Sequence, residues 1–359
     1  MDPISQAALG AAAGHAVLHR QLGTRAMSIG AVAGAFPDVD SFWGLFEGPF
    51  GRLVSHRGIT HSLFFGPVVG SLAGWLWWRR ECGRARSPDD VASVRAWIAL
   101  FIVALMSHPL LDWFTTFGTQ LLAPISRTRF ALDSIPIVDP VYTAVLLIGL
   151  ALGWAFRRRP YAGRFTGIAV LASTAYLFMG LWVNAIAERE AQRQLSGAGI
   201  DGAEIHAFPT MLQLPHRRIV AITESEIRVG FLSMWRPCTI DWGIAPRLRD
   251  ERIDAILATK EGRIYAWFAN GLLAADIVTE DGGHRVRLSD LRYGYVPDPL
   301  RSLWGIDARF DAAGGMLGPP ERYTDRPEVS AERVAQLFAD AFPSACPATG
   351  DGARHRIED

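Results

Sequence analysis

The chain has 359 residues, half of them apolar and a fifth charged, with 36 basic and 36 acidic side chains. A length of this order fits two domains, and a formal net charge of zero excludes the global basic field that nucleic-acid binders rely on. The three cysteines, Cys82, Cys238 and Cys346, fall in no metal-binding spacing, although Cys238 and Cys346 can pair in an oxidising compartment. Charged residues are sparse before residue 188 and frequent afterwards. The expected fold class is therefore mainly α: a polytopic helical membrane domain over residues 1–187, followed by an α+β soluble domain over 188–342 and a disordered tail over 343–359.

Residues 4–19 predict a helix rich in alanine and glycine, with Ser5 as its N-cap and His15 and His19 on one face. No basic n-region precedes a long apolar core and cleavage site, so no signal peptide is expected. Residues 26–36 are apolar but too short to cross a bilayer core of about 30 Å. Four longer apolar segments follow: His61–Trp78, Ala96–Leu111, Val138–Phe156 and Phe165–Ala187. Gly66-Pro67 is a place for the first to bend, and Asp139-Pro140 reads as an N-cap followed by proline at the first helical position. The loops Arg79–Arg95 and Arg157–Arg164 are rich in arginine, which puts both on the cytoplasmic side. The other helix ends, carrying His56, His61, His108, Asp112 and Asp139, then face outward together with everything after the fourth span.

In the C-terminal part, Arg218–Thr223, Ile227–Trp235, Leu272–Thr279, His284–Leu291 and Trp304–Phe310 read as strands. Asp281-Gly282-Gly283 reads as a hairpin turn, and Leu248–Phe268 as a helix with Asp250 near its start.

The chemistry concentrates between Phe36 and Asp139. His108 and Asp112 are four apart and share one helix face. Ionisable groups at the end of a membrane helix are costly and usually functional. His56 and His61 flank Gly58, where a loop can turn both rings towards one point, and Thr60 is placed to cap the next helix. Arg57 disfavours a second positive charge on His56, which suits a neutral, metal-binding imidazole. Asp38 and Asp40 point the same way if the segment is extended. Histidine with aspartate is a donor mixture for zinc or manganese. The candidate ligands of a divalent metal, zinc or alternatively manganese, are thus Asp38, Asp40, His56, His61, His108 and Asp112, with His15 in reserve. His15 reads equally well as a packed core residue. Asp133 and Asp139 are candidate supporting carboxylates, while His206, His216, His284 and His355 are scattered through the second domain. No G-x-S-x-G elbow, P-loop or H-E-x-x-H motif is present.

Phe36-Pro-Asp-Val-Asp40, His56-Arg-Gly-Ile-Thr-His-Ser62, His108-Pro-Leu-Leu-Asp112 and the run Thr115–Leu122 with Pro124 together resemble the YdjM-like inner-membrane proteins. That family is described as metal-dependent hydrolases and is in part LexA-induced. The resemblance implies a multi-pass protein of the bacterial inner membrane. A more distant similarity is to zinc-dependent phospholipase C, whose ligand places His15, Asp38, His56 or His61, and His108 with Asp112 would fill. The expectation is a membrane-bound, metal-dependent hydrolase acting on a phosphodiester of a lipid or envelope component, with Asp40 or Asp112 taking a proton from water. Its partners would be the bilayer and that substrate, with no nucleic acid. A non-enzymatic envelope or stress-response protein with a structural metal is the alternative, and a transporter a third possibility.

Overall fold

The computed structural model describes residues 1–44, 46–48, 50–87, 91–280, 282–295, 298–325 and 330–346. It divides into two compact units, Met1–Glu47 with Val54–Gly180, and Gly48–Leu53 with Leu181–Asp359. The first is helical and the second contains the sheets, so the chain joins a helical membrane domain to an α+β domain.

The opening helix, α1 (Pro3–Leu22), is capped by Asp2 rather than Ser5. The Asp2 carboxylate accepts from the backbone N–H groups of Ile4 and Ser5, and Pro3 takes the first helical position. After Gly23 the chain turns back into α2 (Arg25–Ala35), and glycines let the two helices approach closely. A Cβ on Gly34 would fall 2.8 Å from both the Gln6 carbonyl oxygen and Gly10 Cα. A 3-10 turn (Phe36–Val39) and the one-turn helix α3 (Asp40–Trp43) follow.

Short helix α4 (Gly51–Ser55) and a second 3-10 turn (Ile59–His61) lead into α5 (Phe65–Cys82). The bend expected at Gly66-Pro67 occurs earlier: Gly51–His61 and Phe65–Cys82 are inclined by 62°. Pro67 falls in the first turn of α5, where its missing N–H has no helical partner to lose. α5 packs along α6 (Val94–Trp113) through a row of buried glycines, Gly66, Gly70 and Gly74. This small-residue spacing is one that membrane helices use for close contact. Trp97 and Leu100 of α6 are fully buried with Leu18, Leu22 and Ala26, joining α6 to α1 and α2. α7 (Pro140–Ala155) starts as the sequence predicts, with the Asp139 side chain accepting from Tyr142 N. The last helix of this series, α8 (Ala162–Gly197), runs for 36 residues.

Among the described residues, α6 and α8 are long and apolar enough to cross a membrane, and the bent pair ending in α5 makes a third if it is one span. α7, the third of the four expected spans, has 16 residues and extends only about 24 Å at the helical rise.

In the second unit, β1 (Glu204–Pro209), β2 (His216–Ile222), β3 (Glu226–Ser233) and β4 (Gly243–Pro246) form an antiparallel sheet in sequence order. Ile219, Leu232 and Ile240 pack against Ala187 and Ala191 of α8. The predicted helix over 248–268 is two helices, α9 (Glu251–Ala258) and α10 (Lys260–Phe268). Between them Thr259 is extended and its hydroxyl caps Gly262 N. The strands β5 (Leu273–Glu280) and β6 (Gly283–Asp290) pair antiparallel and continue to β9 (Trp304–Asp311) and β10 (Glu321–Thr324), while β7 (Gly294–Tyr295) and β8 (Asp298–Ser302) form a separate hairpin. Asp281 of the expected turn lies outside the described residues, as do residues 347–359 of the expected tail. A final helix, α11 (Ala331–Ala341), precedes a disulfide between Cys238 and Cys346.

Candidate metal centre

The expectation that Asp38 and Asp40 share one side of an extended segment is overturned. Pro37 fixes φ near the helical value and suits a first helical turn, and Phe36–Val39 winds into the 3-10 turn. The two carboxylates therefore diverge. Asp38 turns to His61 and His108, whereas Asp40 turns to His56 and to the other side of His61.

Four donors meet where this turn, the Ile59–His61 turn and the C-terminal end of α6 come together. Asp38 Oδ1 is 3.5 Å from His61 Nε2 and 3.4 Å from His108 Nε2. Asp112 Oδ2 closes the ring, 3.3 Å from His61 Nε2 and 3.5 Å from His108 Nε2. Zinc–ligand bonds of about 2.0–2.1 Å put tetrahedral donors about 3.3 Å apart, so these four spacings match those of one ion's ligand set.

The hydrogen bonding agrees with that geometry. His61, His108 and Asp112 are fully buried, yet His61 Nε2, His108 Nε2 and Asp112 Oδ2 have no hydrogen-bond partner. Arg57 Nε is 3.1 Å from Asp112 Oδ2 without the alignment of a hydrogen bond. Buried polar atoms are rarely left unsatisfied, and three of them facing one point need an explanation. The outward nitrogens show how the rings are set. His108 Nδ1 lies 2.6 Å from the Gly34 carbonyl, which can only accept, so Nδ1 is the donor there and Nε2 is the nitrogen turned to Asp38 and Asp112. His61 Nδ1 lies 3.1 Å from Asp40 Oδ2. A histidine oriented through its second nitrogen by a carbonyl or carboxylate is the usual preparation of a metal ligand.

Asp40 organises the outer side. Its Oδ2 accepts from Arg57 N at 3.0 Å and from the Thr60 hydroxyl at 2.7 Å, and its Oδ1 is 2.8 Å from His56 Nδ1. Thr60 thus bonds to a carboxylate, the stronger acceptor, instead of capping the following helix. Burial opposes ionisation of Asp40, but the hydrogen bonds from His56 and His61 hold its carboxyl well below the usual carboxylate range. Burial likewise opposes ionisation of Asp38, and its contacts with His108 and His61 outweigh that cost.

Asp112 is held by groups that the sequence reading did not single out. Gln6 Nε2 donates to its Oδ1 at 3.0 Å, and the Met1 ammonium pairs with the same oxygen. Arg57, buried and at φ +61°, also donates to Thr115 Oγ1 at 2.7 Å. That conformation is uncommon for a residue other than glycine and is held here by the guanidinium contacts. Sequence spacing carries no signal for Gln6 or Gly34, because their roles arise from helix packing.

Of the residues singled out from the sequence, Asp38, His61, His108 and Asp112 form one group, and Asp38, Asp40 and His56 form a second, with one donor atom from each member within 4.8 Å of the others in its group. His15 is in neither. Its Nδ1 is 3.0 Å from Thr166 Oγ1, which turns the ring towards α8. Asp139 is engaged as the cap of α7 and as acceptor from Tyr176 OH at 3.0 Å.

These features define a helical membrane protein with a buried histidine–aspartate centre suited to a divalent cation. The chain belongs to the YdjM inner membrane protein family, whose profile matches residues 1–187. It is 35% identical over 111 residues to inner membrane protein YbcI of Escherichia coli strain K12, a match covering 30% of this chain and 57% of that protein. It is 25% identical over 282 residues to the uncharacterized protein YfhP of Bacillus subtilis strain 168, covering 76% of this chain and 80% of that one. No solved structure matches.

Proposed function

We propose that the protein is a membrane-bound, metal-dependent hydrolase, acting on a phosphodiester of a lipid or envelope component. The observation that carries this reading is the set of three buried atoms without hydrogen-bond partners, His61 Nε2, His108 Nε2 and Asp112 Oδ2, grouped with Asp38 at tetrahedral spacing. Asp38, His61, His108 and Asp112 would hold the ion, which we take to be zinc, with manganese the alternative. Such an ion activates water and polarises a phosphoryl oxygen. The chain's own residues do the rest. Gly34 and Asp40 hold the two imidazoles in the tautomer that offers Nε2, while Arg57 and Gln6 fix the Asp112 carboxylate. With the inner ion alone bound, Asp40, less buried than Asp112 and bordering a cavity, is the better placed of the two to receive a proton.

A second reading has support from the same geometry. Four protein donors at tetrahedral spacing are also what a structural zinc site uses, so a non-enzymatic envelope protein stabilised by its metal fits the inner set. The two readings separate on one experiment. Protein purified from membranes is stripped with a chelator, reloaded with zinc or manganese, and assayed on bis(p-nitrophenyl) phosphate and on phospholipid vesicles. Hydrolysis that disappears with the metal and returns with it is the expected result. Metal content that sets thermal stability while no hydrolysis occurs in either state would leave the structural reading in its place.

We further propose that the protein is multi-pass, with the centre and the C-terminal domain on the extracytoplasmic side. The support is the placement of Arg79 and Arg80 at the far end of α5 from His61, the arginines at 157–159 between α7 and α8, and the Cys238–Cys346 disulfide, a bond that persists in oxidising compartments. A reporter active only in the cytoplasm, fused after residue 359, is expected to be silent. Strong activity would reverse the orientation.

A further inference from the structure

We propose that the centre takes two cations, bridged by Asp38, and that the second and outer ion faces the substrate. This deepens the metal-dependent reading above and rests on it.

The two donor groups overlap in a single residue, Asp38. A carboxylate has two oxygens and lone pairs enough to serve two ions. Asp38 also stands at the border between a dry and a wetter region. Its side chain is 23% exposed, while those of His61, His108 and Asp112 are fully buried. Behind it lies the inner set of four donors. In front of it lie Asp40 and His56, which with Asp38 make an outer set of three.

The two sets differ in the way structural and catalytic zinc sites differ. Four protein ligands fill a tetrahedral ion, whereas three leave a position for water or substrate. Access points the same way. A cavity of about 500 Å³ is walled by Asp40, Trp43, Ile59, Gln120, Pro124 and Arg127; Asp40 is the one member of the outer set that lines it, and no member of the inner set does. Its size is within the range of small-molecule sites. The wall joins exposed apolar side chains, Trp43 and Ile59, to Arg127 and to the acidic Glu47 and Asp40, so an anionic ester with an apolar portion would be met there by Arg127 and the outer ion.

The hydrogen bonds leave Asp40 able to take this part. Its Oδ2 is occupied by Arg57 N and Thr60 Oγ1, whereas Oδ1 is held by His56 Nδ1 alone among the described hydrogen bonds. An ion between Asp40 Oδ1 and His56 Nδ1 replaces that contact and the one from His56 Nδ1 to Ser41 Oγ at 3.0 Å, and leaves both contacts of Asp40 Oδ2 in place. Division of labour follows: the inner ion fixes Asp38, His61 and His108, and the outer ion meets the substrate. Two-metal hydrolases separate their ions by about 3.5–4 Å, a distance that one carboxylate bridges.

The test is a manganese titration of the full-length protein in detergent after chelator treatment, read by equilibrium metal content and by electron paramagnetic resonance. The expected result is two equivalents bound, with the spectrum of a spin-coupled pair. His56→Ala is expected to keep one equivalent and to give the uncoupled signal. Binding of a single equivalent by the unsubstituted protein, or two equivalents retained by His56→Ala, overturns the bridged pair. Should His56→Ala fail to fold, the spectrum of the unsubstituted protein decides alone: isolated-ion signals at full loading overturn the proposal. One bound ion with metal-dependent hydrolysis intact removes only the bridged pair. Absence of any bound manganese or zinc removes the metal-dependent reading with it.

Discussion

Replacing His108 with alanine is expected to abolish tight metal binding while the protein still inserts and keeps its helical content. His108 supplies one of the four inner donors. Its neighbour one turn on, Asp112, is already shared with Arg57, Gln6 and the Met1 ammonium. Loss of a direct ligand should cost well over the roughly 10–100-fold that follows removal of a supporting group. The folding cost is opposed by a gain: the substitution removes a buried imidazole whose Nε2 has no hydrogen-bond partner. The control is Asp139→Asn. Asparagine caps nearly as well as aspartate, so metal content should stay unchanged and stability should fall by about 1 kcal/mol or less. Metal analysis on both variants checks the pair. Full metal content in His108→Ala, with loss in Asp139→Asn, would move the centre away from α6 and towards α7.

Gly34→Val is expected to weaken the centre and the fold together without touching any candidate ligand. The added Cβ meets the Gln6 carbonyl and Gly10 Cα at 2.8 Å, both of them backbone atoms of α1 that have no rotamer to change. Overpacking of this kind typically costs about 1–3 kcal/mol. Here the displacement also acts on both sides of the metal centre. The Gly34 carbonyl orients His108, and Gln6 on the facing helix holds Asp112. Moving α1 from α2 therefore loosens two supporting contacts at once, and metal affinity should fall at least as far as removal of one supporting group, roughly 10–100-fold. The expected signature is a lower unfolding temperature of the metal-free protein combined with weakened zinc binding. A variant that loses stability but binds zinc with unchanged affinity would show that the Gly34 carbonyl does not set the His108 ring.

The pattern of apolar segments and the i, i+4 pair on α6 were legible because helical periodicity is a local property. His108 and Asp112 need only a continuous helix to share a face. The cap at Asp139, with Pro140 behind it, is likewise local and appears where the sequence places it. Asp38 and Asp40, candidate ligands in the sequence, both fall within the two donor groups, but they are not the extended neighbours that the sequence suggested. Proline tolerates both backbones, and the choice fell to the 3-10 turn that delivers the two carboxylates to different histidines. Thr60 was misread for a related reason: its best partner, Asp40, is twenty residues away in sequence and adjacent only in the fold.

The sequence by itself determined the membrane character, the order of the helices and which titratable residues were candidates for a metal, since all three follow from composition and short spacings. Only the tertiary structure decided which of them meet. It separated His15, turned to Thr166, from His61 and His108. It brought Gln6, Gly34 and Arg57 to the ligands, and it split the candidates into a buried set of four and an outer set of three that share Asp38. The physical reason is the close approach of α1 and α2 through glycine. That packing places backbone carbonyls and a buried amide within hydrogen-bonding reach of α6, and no local pattern in the chain encodes a contact of that range.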